Sequence, residues 1–124
     1  MNETSIQLFK FFITGIIVVS IDFASYFYFL NFLSIDLSKG ISFFLGTLVA
    51  FMLNKYWTFS NYQESSKQLL YFFILYFFTL FINISTNKII LVLSDKTLIS
   101  FIIATGSSAG LNFIGQKWVI FKTN

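Results

Sequence analysis

Apolar residues fill four stretches of this chain, at about 8–33, 38–57, 69–93 and 98–121. Each reaches the roughly 20 mostly apolar residues that a helix needs to cross about 30 Å of hydrocarbon. The segments between them are short and polar: LSIDLSKG, SNYQESSKQ and SDKT. Such connections leave no room for a soluble domain, and they make consecutive spans antiparallel neighbours. The pattern predicts an all-α membrane protein, a single domain over 1–124 whose four transmembrane helices form two helical hairpins.

Polar positions inside the apolar runs are few and ordered. Thr79, Asn83, Thr86 and Asn87 recur at helical spacing in the third span, and Thr105, Ser108, Asn112 and Gln116 do so in the fourth. Lipid cannot satisfy such groups, so the two stripes are expected to face each other or a wet cavity. The first span holds one acid, Asp22 in VVSIDFASY, with apolar-biased sequence on both sides that places it near the bilayer midplane. A carboxylate there costs about 2.5–3.5 kcal/mol on insertion scales, which the rest of the chain must offset.

The two hairpins carry the same ending. FMLNKYWTF (51–59) and FIGQKWVIF (113–121) share the pattern F-x-x-[N/Q]-K-[Y/W]-x-x-F, pairing Asn54 with Gln116, Lys55 with Lys117 and Phe59 with Phe121. Asp22 precedes Lys55 by 33 residues (55 − 22) and Asn83 precedes Lys117 by 34 (117 − 83), so the likeness extends back into the first helix of each hairpin. Each unit contains two spans, hence the copies have the same orientation: a parallel repeat about an axis along the membrane normal.

Composition sharpens the picture. The chain is 56% hydrophobic and 10% charged, with a mean hydropathy of +0.79, well outside the soluble globular range. Proline, cysteine and histidine are absent, and so is arginine. No catalytic set, metal site, disulfide or cofactor is therefore expected, and no enzyme; a phosphate would be met by lysine, hydroxyls, amides or backbone N–H groups. The lysines are scattered rather than clustered, which argues against nucleic acid as a partner. No small-residue cleavage site follows the first apolar run, so no removable signal peptide is expected. Lys10, Lys55, Lys67, Lys117 and Lys122 fall on the side of the termini and middle loop, against Lys39, Lys88 and Lys96 on the other. By the positive-inside rule both termini are expected in the cytoplasm.

Several residues are candidates for function. Asp22 reads as a substrate contact or proton carrier, or else as a hydrogen-bonded packing group. Single Ser and Thr residues read as interhelical glue, whereas Asp22, Asn83, Asn87 and Asn112 together suggest a polar pathway for a hydroxyl-rich group. Lys55 and Lys117 are candidates for a lipid phosphate at the cytoplasmic face. Beside them Tyr56, Trp57 and Trp118 are expected as interfacial anchors. Lys88, about a turn inside the far end of the third span, can snorkel outward to an external phosphate or reach toward Asp22. Gly106 and Gly110, and Gly46 with Ala50, are small-xxx-small pairs that predict close helix packing within the chain or across an oligomer.

In combination, the KFFITG start, the Asp22–Phe23 pair and the NKYWTF and GQKW endings resemble the GtrA-like family of small membrane proteins, from about Phe9 to Phe121. The second ending sets its tryptophan one position earlier than the first, so Trp118 need not play the part of Trp57. The resemblance implies a bacterial cytoplasmic-membrane protein of cell-surface polysaccharide synthesis that flips a polyprenyl-phosphate-linked sugar to the outer leaflet. It also implies a possible glycosyltransferase partner, because related domains are fused to dolichol-phosphate-mannose-synthase-like enzymes. Four spans enclose little, so a homo-oligomer or such a complex is expected. Two other readings are a membrane scaffold for a glycosyltransferase and a small proton-coupled multidrug exporter with one acid in its first span.

Overall fold

The computed structural model describes residues 2–122. Its helices fall into two compact units, Met1–Tyr62 and Gln63–Asn124, and each unit is one hairpin. All four helices are long and apolar enough to cross a membrane.

In the first unit α1 (Glu3–Phe29) and α2 (Ile35–Leu53) pack side by side. α1 begins five residues before the apolar run does, because the Asn2 side chain accepts the Ser5 N–H at 2.8 Å and Glu3 lies in the first turn, where the helix dipole favours an acid. It ends earlier than the apolar run as well. Leu30–Leu33 close a tight turn through Leu33 N–H to Phe29 carbonyl, and Ser34 then caps α2 by accepting the Leu37 N–H. In the second unit α3 (Ser66–Ser94) and α4 (Thr97–Gly115) are joined by two residues only. That turn needs a left-handed residue, supplied by Asp95 at φ 56°, whose N–H bonds the Leu91 carbonyl.

Helix contact in each unit runs along a row of residues four apart. On α2 the row is Ser38, Ser42, Gly46 and Ala50; on α4 it is Ser100, Ala104, Ser108 and Asn112. Small side chains on such a ridge let two helix backbones come close, which is what association in lipid requires in place of a hydrophobic driving force. Gly46 lies on this row, where an added Cβ would be 3.5 Å from the Asp22 and Val18 side chains. Gly106 and Gly110 do not. A Cβ at either meets nothing within 4 Å, so the G-x-x-x-G is not the packing surface of its own hairpin: it lies off the four-spaced row that faces α3.

Both hairpins end in a widened turn. α2 continues into a π-helical turn, Asn54–Thr58, and α4 into another, Gln116–Ile120. The closing bonds are equivalent, Phe59 N–H to Asn54 carbonyl at 2.9 Å and Phe121 N–H to Gln116 carbonyl at 2.8 Å. The repeated sequence motif is thus a repeated backbone feature. Its amide residue opens the π turn and its last phenylalanine, buried in both copies, closes it.

Candidate functional site

Asp22 is not alone in its span. Lys39, four residues into α2, donates to both carboxylate oxygens at 3.0 and 2.9 Å, and its ammonium stands 5.7 Å from the centre of the Tyr26 ring. The two meet because the short turn folds α2 back along α1. The pair is not enclosed by protein: the Lys39 side chain is 56% exposed and that of Asp22 22%. Asp22 lies seven residues from the end of α1 (29 − 22), about 10 Å at 1.5 Å per residue, because α1 starts and stops earlier than the apolar run. The cation that answers it within its own hairpin is Lys39, which sequence reasoning had used only for orientation.

Among the described residues the second hairpin has no charge at the matching level. Asn83 donates to Ser108 Oγ at 2.9 Å, and one turn away Thr79 donates to Asn112 Oδ1 at 2.8 Å. The expectation that the stripes face each other holds for these four residues. Thr105 does not join them; it is exposed, and its carbonyl accepts from Ser108. Asn87, a turn beyond Asn83, is half-buried, and Lys88 is exposed.

The π turns collect a different polar set. In the first, Thr58 donates to Asn54 Oδ1 at 3.0 Å and shares a hydrogen bond with Thr14 of α1 at 3.3 Å, all three side chains being buried. Lys55 is only 4% exposed; its ammonium is 3.4 Å from Asn61 Oδ1, and the Asn61 N–H bonds the Lys55 carbonyl at 2.8 Å. Lys10 reaches over the Trp57 ring and donates to the Trp57 carbonyl at 3.5 Å. In the second turn Gln68 of α3 donates to the Ile120 carbonyl at 3.3 Å. Lys117 is less enclosed than Lys55 and lies 5.2 Å from the Trp118 ring centre. Gln116 is fully buried, and neither side-chain atom has a protein partner among the described residues. Tyr56, Trp57 and Trp118 present exposed ring surface, as side chains that face lipid or headgroups do.

Among the polar residues that escaped sequence reasoning are Gln7, Thr14, Lys39, Asn61 and Gln68. Gln7 and Gln68 carried a usable signal. They are 61 residues apart (68 − 7), as are Asp22 and Asn83 (83 − 22), and both are buried. Lys39 had a fainter one, since a tight turn between Asp22 and a lysine 17 residues on brings the two to one level. Thr14 and Asn61 had none, because each is defined by a partner in another element.

The geometry amounts to a hairpin with a partly open ion pair among apolar side chains and a hairpin with a neutral hydrogen-bonded ladder, each sealed by a π turn. A family model described as "GtrA/DPMS, transmembrane domain" matches residues 10–121. That match spans both hairpins and both π turns.

Proposed function

This chain belongs to the GtrA/DPMS transmembrane-domain family, and on that footing we propose that it carries a polyprenyl-phosphate-linked sugar across the cytoplasmic membrane in cell-surface polysaccharide synthesis or glycosylation. Membership makes it a multi-pass membrane protein of glycan synthesis; the flipping step is our reading. The observation that carries it is the Asp22–Lys39 pair, accessible from outside the hairpin and about two turns from the end of α1. Two charges inside a span are costly, and intramembrane ionisable groups mark pathways more often than packing.

In this reading the prenyl tail remains in lipid while the polar head passes along the protein. Asp22, Asn83, Asn87 and Asn112 supply acceptors and donors to sugar hydroxyls. Lys117 is the motif lysine we assign to the phosphate at the cytoplasmic face, because Lys55 is 4% exposed and engaged with Asn61. Lys88, exposed near the other end of α3, serves the opposite face. No step is chemical, so the protein is read as a carrier rather than an enzyme.

A second reading, a scaffold for a glycosyltransferase, draws support from the second hairpin. Its polar groups satisfy one another across α3 and α4, as interhelical glue does. Liposomes separate the two. Purified protein reconstituted with a short-chain polyprenyl-phosphoryl sugar should expose the headgroup to an outside reagent faster than empty vesicles, and Asp22→Asn should slow it. Equal rates for folded protein and empty vesicles, across several sugars, would leave the scaffold reading.

A further inference from the structure

The two hairpins provide an internal comparison for the Asp22–Lys39 pair. Asp22 packs against the level of Gly46, and Asn83 bonds Ser108; the correspondences are 22 + 61 = 83 and 46 + 62 = 108. At the place of Lys39 the second hairpin has Phe101 (39 + 62). One hairpin therefore closes at this level with a neutral amide and hydroxyl, and the other carries two full charges there. Helix packing does not need the charges, because the same architecture forms without them.

Their arrangement is also one that a ligand can enter. Among the described residues Lys39 is held by Asp22 and by the face of the Tyr26 ring, with more than half of its side chain exposed. A lysine stem is flexible and its three donors rotate, so the ammonium can turn from one anion to another. A carboxylate left behind in an apolar span must then be answered by new donors. A lone phosphate would take Lys39 and leave Asp22 bare. A phosphate beside hydroxyl groups meets both needs at once, since its oxygens accept from Lys39 while the hydroxyls donate to Asp22.

We propose that Asp22 and Lys39 form a split recognition site for a phosphate adjoining hydroxyls: ligand phosphate replaces Asp22 on Lys39, and ligand hydroxyls replace Lys39 on Asp22. The site rests on the carrier reading for its lipid-linked source, and it adds Lys39 as the phosphate-binding residue of the first hairpin. The same chemistry is offered by a free sugar phosphate, which the test separates.

The test is equilibrium binding to protein in uncharged phosphatidylcholine vesicles. The probes are a short-chain polyprenyl phosphate, its glucosyl derivative, and soluble glucose 1-phosphate as competitor. The wild type should bind both lipids, the glucosyl form more tightly. Lys39→Gln should weaken both by about tenfold or more, the loss of a charge-assisted contact. Asp22→Asn should keep the bare phosphate, with Lys39 released to it, and lose the preference for the glucosyl form. Competition by glucose 1-phosphate at matching concentration would support the site and assign it to a soluble ligand. Should the single variants fold poorly, Asp22→Asn combined with Gly46→Ser and Lys39→Phe reproduces the neutral level of the second hairpin and should lose both lipids. Unchanged affinities in Lys39→Gln or in that triple variant overturn the proposal, as does absence of binding to wild type or equal weakening of both lipids in Asp22→Asn. Binding without translocation would remove the carrier reading and leave the site, whereas translocation undiminished in Lys39→Gln would remove the site and leave the carrier.

Discussion

Asn54 and Gln116 hold the same place in the two copies of one motif, but their amides are in different circumstances. Asn54 accepts from Thr58, which in turn meets Thr14, so Asn54→Ala should leave a buried hydroxyl short of its acceptor and destabilise the protein by about 1–3 kcal/mol. Gln116 has no protein partner for either side-chain atom among the described residues. An apolar residue of similar size removes two unpaired groups, and Gln116→Met should be neutral or stabilising. Thermal unfolding in detergent measures both, and a large loss from Gln116→Met would show that its amide is satisfied after all. At this scale the sequence announced the position through the repeated [N/Q]-K, and the partners were illegible: Thr14 lies 44 residues from Thr58.

Small residues determine how the hairpins close. Gly46 faces Asp22 and Val18 at 3.5 Å from a built Cβ, whereas Gly106 and Gly110 face open space. Gly46→Leu should therefore wedge α1 from α2 and cost about 1–3 kcal/mol, as overpacking does, while Gly106→Leu should stay within about 0.5 kcal/mol of wild type. Chemical denaturation of the two variants side by side checks the contrast. If Gly106→Leu abolishes activity without changing stability, its face meets another chain. Both small-xxx-small pairs were legible in sequence, but a run of glycines and serines at several spacings does not say which ridge turns inward. That is decided when the facing helix arrives. The Ser100, Ala104, Ser108 row was obscured for this reason by the more familiar G-x-x-x-G two residues away.

For the whole molecule, we propose that both termini lie in the cytoplasm, on the side with the excess of lysine. Cysteine is absent from the chain, so an introduced thiol is a unique reporter. In intact cells a membrane-impermeant maleimide should label Asn31→Cys, in the exposed turn after α1, and spare Ser65→Cys before α3. The reverse pattern would invert the orientation and with it the assignment of Lys117 and Lys88 to their faces. The four spans were legible from hydropathy alone, and both ends of the first and the start of the second were displaced by several residues because capping by Asn2 and Ser34, and the tight turn at Leu30–Leu33, act through backbone hydrogen bonds that hydropathy does not register.

By itself, then, the sequence determined the membrane class, the four helices, the two-hairpin repeat and the family. A bilayer forces every backbone group to be satisfied internally, so long apolar runs have one outcome. Tertiary structure decided which polar groups meet. Asp22 found Lys39, Asn83 found Ser108, and the repeated motif became a π turn. These depend on the relative rotation of two helices and on a local change in hydrogen-bond register, quantities set by packing against a partner rather than by the order of residues along one strand of chain.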